Sequence, residues 1–429
     1  MTDQAPIPST SPEPTPVMGP TRPKERIEVI DILRGFAIFG ILLVNLPYFA
    51  ADYLPEAELW PGLVDRTTVF LIQFFGESKF WTLFSFLFGL GFALQLERAK
   101  ARGVRFFPVY RRRLLALLLI GLLHVLIWEG DQLIIYALLG FLLFLFGGRS
   151  PRTLVLAAVG CLLLTLSIFA ARDGIRELRK RDPETAQQTI RAAVQQEVDG
   201  KAWREQGVQS YSQGDFGDVV AWHAQVFARR HSSPYTYLWL LRQEFPLLLL
   251  GLFVARRRFL HDIPANRTFI RRAFWWGLAL GLVCTSVSLL AENISNPALP
   301  FLTRQLSALL WAIGGPALCF FYASAIVLLA QREGWKRRLA PLAFVGRMAL
   351  TNYLLQTVIC VTFFYNYGLG FYGKVGPAAG IGLTLLIYGL QIPLSVWWLR
   401  RFRFGPAEWL WRTLTYGRLQ PMRVSQPAA

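Results

Sequence analysis

The sequence predicts an all-α, polytopic integral membrane protein with about ten transmembrane helices. Three observations predict it. Of 429 residues, 54% are hydrophobic and 14% aromatic, a composition typical of bilayer proteins. Apolar runs long enough to span recur along the whole chain. The loops between them alternate between rich and poor in Lys and Arg, as an orientation signal does.

The elements follow in order. Residues 1–27 carry seven prolines and no apolar run, which predicts a disordered cytoplasmic tail rather than a cleaved signal. Spans are expected at 28–50, 67–96, 111–128, 132–148, 152–171, 236–255, 270–291, 304–330, 341–365 and 378–399. The second is interrupted by Gly76-Glu77-Ser78-Lys79, which suits a tilted helix, a broken helix or a re-entrant entry. With the N-terminus in the cytoplasm, every basic short loop falls on that side: 97–113, 149–152, 256–272, 331–340 and the stretch after 399. Residues 173–235 form the one long polar segment, rich in Arg, Glu, Gln and Ala. It is expected outside, as amphipathic helices over the outer mouth. The domains are then the tail (1–27), a five-helix unit (28–172), the polar segment (173–235), a second five-helix unit (236–417) and a tail (418–429).

Composition also excludes classes of function. The net charge of +18 sits beside the ends of apolar runs, so it reads as orientation and not as nucleic-acid binding. Cys161, Cys284, Cys319 and Cys360 all lie in apolar runs without a CxxC pair, and read as packing residues. The four histidines are scattered, so no metal site is expected. There is no P-loop, GxSxG elbow, HExxH or dinucleotide fingerprint.

Four polar groups remain. The first span carries Asp31, Arg34 and Asn45. A charge at mid-membrane costs roughly 2.5–3.5 kcal/mol on insertion scales, so such residues face a partner or a cavity. Asp31 and Arg34 are i,i+3 neighbours, and Asn45 lies about three turns and ~16 Å further along. The alternatives are a structural ion pair with a packing amide, or an anion site, because a fixed guanidinium suits phosphate or carboxylate. His124 precedes Asp131 by seven residues at the end of the third run. A carboxylate beside a histidine suits a general base; an interfacial histidine and an acidic loop are equally compatible. Lys79 at the broken span is placed to line a cavity. Arg347, Thr351 and Asn352 make a polar stripe on the ninth span, with Arg347 as a second phosphate contact.

Several stretches resemble the YeiB-like family of bacterial inner-membrane proteins. They are Arg26-Ile27-Glu28-Val29-Ile30-Asp31-Ile32-Leu33-Arg34-Gly35-Phe36-Ala37 with Asn45, the run from Phe80 to Gly91, Arg112-Arg113-Leu114 through His124 to Trp128-Glu129-Gly130-Asp131, and Gly346 to Tyr353. Tyr367-Gly368-Leu369-Gly370 and Arg403 to Arg412 complete the pattern. The resemblance implies a multi-pass inner-membrane protein, and the alternating basic loops put both termini in the cytoplasm. The Asp-x-x-Arg-Gly opening is also similar to that of transmembrane acyltransferases, the heparan glucosaminide acetyltransferases and bacterial sugar O-acetylases among them. The O-acetylases place a catalytic His eleven residues after the Arg, where this chain has Asn45; the glucosaminide enzymes use a His just after the first span, and none occurs here between 45 and 123.

The expectation is therefore an acyltransferase passing an acetyl or other acyl group from cytoplasmic acyl-CoA to an extracytoplasmic glycan or amino sugar. Asp31, Arg34, Lys79, Arg347 and Asn352 would bind the donor. His124, oriented by Asp131, would deprotonate the acceptor, and Asn45 would hold the thioester or its oxyanion. The alternatives are a small-molecule transporter or exporter, and a non-catalytic membrane scaffold. The bilayer is the expected partner, no metal is expected, and a homodimer is left open.

Overall fold

The computed structural model describes residues 19, 25–54, 56–179, 182–293 and 301–424. Most of the tail expected over 1–27, and residues 425–429, lie outside the described residues. Among the described residues the chain is all helix, apart from one isolated antiparallel bridge between Phe402 and Arg423.

The chain opens with α1 (Glu28–Ala51), whose first turn carries Glu28 and Asp31, where free helix amides favour carboxylates. Then come α2 (Glu56–Leu59), α3 (Leu63–Phe75), α4 (Phe80–Ala101), α5 (Phe106–Val125), α6 (Leu133–Phe144) and α7 (Pro151–Arg179). The polar segment folds as α8 (Pro183–Ser212) and α9 (Phe216–Ser232), the latter opened by a reciprocal Asp215/Asp218 capping box. The remainder comprises α10 (Pro234–Gln243), α11 (Phe245–Arg256), α12 (Arg267–Asn293), α13 (Phe301–Leu329), α14 (Glu333–Arg347), α15 (Ala349–Phe364), α16 (Pro377–Arg401) and α17 (Pro406–Tyr416).

Among the described residues, seven stretches are long and apolar enough to cross a membrane: α1, α3 with α4, α7, α10 with α11, α12, α13 and α16. The α14–α15 pair makes an eighth if its two halves, bent by 78°, count as one span. The difference from ten lies in the runs at 111–128 and 132–148. The first is α5, which carries Arg111, Arg112 and Arg113. The second is α6, with 12 residues; at 1.5 Å per residue it rises only ~18 Å, short of a hydrocarbon core of about 30 Å. Most of α6 is buried within the bundle, so its apolarity serves packing.

Three runs are broken; at two of the breaks side chains satisfy backbone groups that the break releases, as irregular backbone at depth requires, and at the third a buried carboxyl meets a hydroxyl. Between α3 and α4, the buried Lys79 donates to the Gln73 carbonyl at 3.1 Å, near the end of α3. Glu244, between α10 and α11, is buried and accepts from Ser85 Oγ at 3.0 Å. At the α14–α15 bend, Glu408 from α17 accepts the Leu350 and Thr351 amides at 2.7 and 3.1 Å, a carboxylate on a helix N-terminus. Asn352 donates to the Val345 carbonyl and to Ser395 Oγ, tying the bend to α16.

The first helix is central, packing on α4, α13, α14, α15 and α16. It crosses α14 at backbone contact. A Cβ on Gly35 would stand 2.1 Å from the Leu342 carbonyl oxygen, and one on Gly346 would stand 1.8 Å from that of Asp31. Small residues allow this approach, and packing is what holds helices together in lipid. Gly89 and Gly251 do the same where α4 crosses α11.

Candidate functional site

One cavity of about 840 Å³ runs through the bundle. One face of α1 lines it from end to end: Ile27, Asp31, Arg34, Ile38, Ile41, Asn45, Tyr48 and Asp52. Those positions are spaced alternately four and three apart, which is one stripe of an α-helix. From Ile27 to Asp52, the two caps of α1, the stripe takes 25 residue steps, or ~37 Å of rise, against a hydrocarbon core of about 30 Å.

The two ends differ in chemistry. Arg26, Arg34, Arg98, Arg102, Arg113, Arg347, Arg403 and Arg412 line the end nearest the start of α1; Arg230 lines the other, and no lysine among the described residues lines either. Arginine is the residue suited to planar, two-pronged binding of phosphate and carboxylate. Part of this charge is already met: Arg34 Nη1 pairs with Asp31 Oδ1 at 3.0 Å, and Arg102 with Glu25 at 2.7 Å. Arg113 stacks 3.7 Å above the Trp411 ring, whose Nε1 donates to the Arg113 carbonyl. Arg412 on α17 is pushed below its ordinary pKa by burial and by Arg26 and Arg34, against the opposing pull of Tyr416 and Glu408. Arg347 Nε is buried with no partner among the described residues.

The opposite end is acidic and aromatic. Asp52, Glu129 and Asp131 line it. Glu129 is buried and receives the Tyr53 hydroxyl at 2.8 and 2.9 Å on its two oxygens. Tyr211 Oη lies 2.8 Å from the same carboxyl, and Arg230 donates to the Glu129 carbonyl at 3.0 Å. Tyr53 adopts φ 70°, a left-handed conformation that is an outlier for a bulky residue and is held by its surroundings. Burial and the neighbouring Glu129 charge push the Asp52 carboxyl up to about 7. Burial raises the Tyr53 hydroxyl as well.

The sequence-predicted residues divide. Asp31, Arg34, Asn45, Asp131 and Arg347 line the cavity. His124 meets Asp131 as its spacing suggested, with Nδ1 2.7 Å from Oδ2. Its Nε2 lies 2.9 Å from Thr357 Oγ1, and the ring is not part of the cavity wall. Asp131 also caps α6 through the Ile134 amide at 2.9 Å. The histidine therefore ties α5, the α6 cap and α15 together. Lys79 and Asn352 lie outside the lining, at the backbone breaks they satisfy. Among the described residues no cluster of His, Cys, Asp and Glu is arranged to hold a metal.

Asp52 was legible in principle. It continues the stripe seven residues past Asn45, but it follows the apolar run and looks like loop. The gathering of Arg98, Arg102, Arg403 and Arg412 carried no local mark, since loop arginines look alike whether they orient a span or line a cavity. Tyr211 and Arg230 come from the polar segment, whose docking depends on tertiary packing.

Fold and cavity together define a class: a multi-pass, all-α membrane protein with a cavity, charged at both ends, running through its bundle. Residues 254–418 match the family described as "Protein of unknown function (DUF418)". The chain is 38% identical over 420 residues to the uncharacterized protein YxaH of Bacillus subtilis, covering 94% of this chain and 97% of that one. It is 32% identical to the uncharacterized protein YeiB of Escherichia coli, covering 94% and 98%. An uncharacterized 39.9 kDa protein from the amylase 3' region of Bacillus acidopullulyticus is 29% identical, covering 96% and 100%. The chain belongs to the YeiB-like family.

Proposed function

We propose that this protein is a membrane acyltransferase. Acyl-CoA, in the simplest case acetyl-CoA, donates at the arginine-lined end, and a glycan or amino sugar accepts at the acidic end. The observation that carries this reading is the single cavity with arginines at one end, carboxylates at the other and Asn45 between them. Arg34 and Arg347 would hold the donor's phosphates, as guanidinium forks suit. The Asn45 amide would donate to the thioester oxygen as charge develops on it. Purified protein should bind labelled acetyl-CoA saturably, and competition by free CoA should be stronger than by dephospho-CoA. Absence of saturable binding would remove the proposal's first requirement.

We further place the protein in the bacterial inner membrane with both termini in the cytoplasm, so that the arginine end opens to the acyl-CoA pool. The alternation of basic loops supports this. Reporter fusions at Arg102 and Gln209 should report opposite compartments; the same compartment for both would refute the orientation.

A further inference from the structure

At the acidic end, the contacts of Glu129, Tyr211 and His223 call for one extra proton. His223 Nδ1 lies 3.1 Å from the Leu126 carbonyl oxygen, which only accepts, so Nδ1 carries a hydrogen. Its Nε2 lies 3.1 Å from Tyr211 Oη, and the same Oη lies 2.8 Å from Glu129 Oε1. Tyr211 has one hydroxyl proton for two contacts. If it goes to Glu129, Nε2 must donate and the ring is charged. If it goes to Nε2, Glu129 must donate and the carboxyl is protonated. Either way the frame is complete only with one proton more than a neutral histidine and an ionised glutamate supply. Burial lowers the pKa of the His223 ring. Asp52 lines the same end of the cavity as Glu129 and has it as its nearest charged neighbour.

One further observation marks this as a place where something binds. Tyr353 lines the cavity at 7% exposure, and its hydroxyl has no hydrogen bond of good geometry among the described residues. The Tyr372 hydroxyl, at 6% exposure, is also without one, and its charged neighbours are Asp52 and Glu129. Buried hydroxyls are normally paired, so the Tyr353 hydroxyl, on the cavity wall, is placed to meet a polar ligand, whereas Tyr372 stands behind the wall.

We propose that Asp52 and Glu129, backed by Tyr211 and His223, form a one-proton store, and that Asp52 takes the proton from the acceptor hydroxyl or amine during acyl transfer. This rests on the acyltransferase reading above. The acceptor oxygen or nitrogen attacks the thioester carbonyl carbon and gives its proton to the empty Asp52–Glu129 pair. The carbon–sulfur bond breaks, and the proton passes on to the leaving thiolate, giving acylated acceptor and CoA thiol. The charged and titratable groups around the pair are Arg230 on α9, Tyr53 after α1, Tyr211 on α8, His223 on α9, Tyr365 and Tyr372 after α15, and Asp131 before α6. Because burial and Glu129 raise the Asp52 carboxyl to about 7, the pair holds its proton below that pH and is free to accept one above it. Transfer should therefore rise with pH through about 7 and level off.

The test uses the full-length protein. Infrared difference spectra of the wild type should show a protonated-carboxyl band that disappears as pH is raised through about 7, and Asp52→Asn should remove it. With acetyl-CoA as donor and glucosamine as probe acceptor, Asp52→Asn should bind acetyl-CoA as the wild type does. Its transfer should fall on the order of 100-fold or more, within the range of general-base loss. Asp52→Glu, which restores a carboxylate, should recover part of the rate. The inference is overturned if no such band titrates, or if a folded Asp52→Asn transfers at the wild-type rate with an unchanged pH profile. A wild type that neither binds nor consumes acetyl-CoA would overturn the acyltransferase reading and this step with it; normal binding with an inert Asp52→Asn substitution would overturn this step alone.

Discussion

Gly346→Leu should leave no stably folded protein. The first atom of any side chain at 346 would stand 1.8 Å from the Asp31 carbonyl oxygen and 2.8 Å from the Gly35 amide nitrogen. Neither neighbour is a flexible side chain, so α1 and α14 must separate. Overpacking in a well-filled core typically costs about 1–3 kcal/mol where side chains can give way, and here they cannot. The effect reaches beyond stability, because this crossing sets Arg347 beside the Asp31–Arg34 turn across the basic end of the cavity. Gly334→Leu is the matched control: it lies in the same helix with nothing within 4 Å of its added Cβ, and should fold like the wild type. Size-exclusion profiles and thermal midpoints in detergent check both.

The second large effect is at Arg34. Removing it alone strands the Asp31 carboxylate 3.0 Å away, and breaking a buried pair costs about 3–5 kcal/mol where both charges are fully desolvated. Arg34 keeps 33% of its side-chain surface, so the cost should fall below that range. Arg34→Ala with Asp31→Asn removes the stranded charge and should restore the thermal midpoint. It should not restore donor binding. We expect affinity for acetyl-CoA to fall at least about tenfold in both variants, equivalent to about 1.4 kcal/mol. If the double variant binds acetyl-CoA normally, the Asp31–Arg34 pair is a structural ion pair and nothing more.

Much of the fold was legible because bilayers leave few choices. A run such as Ala37 to Val44 has one stable conformation in lipid, and loop arginines mark sides. Legibility failed where apolarity served the bundle interior, as in α6, whose 12 residues pass for a span by composition but not by length. It failed again for Lys79 and Asn352. Both looked like ligand contacts because charge and amide groups at depth need partners. Their partners are the carbonyls of Gln73 and Val345, freed where helices break, and a break cannot be located to the residue from composition. Asp31, Arg34, Asn45 and Arg347 stood out because their polarity contradicts the apolar run around them, and all four line the cavity. Glu129 was visible only as a neighbour of Asp131, and Asp52 sits where polarity is ordinary, so the folded bundle is what sets them together, through the cavity they share and the tyrosines that hold Glu129.

The most direct test is acyl transfer across a sealed membrane. Inverted vesicles from cells producing the protein would receive acetyl-CoA labelled in its acetyl group on the outside, with glucosamine trapped in the lumen. Label should appear in lumenal acceptor, either the sugar or the membrane's own glycan fraction, together with stoichiometric release of CoA outside. Vesicles carrying the Arg34→Ala/Asp31→Asn variant should show neither. Acetyl-CoA that remains intact in wild-type vesicles, with no label reaching any lumenal fraction, would contradict the account.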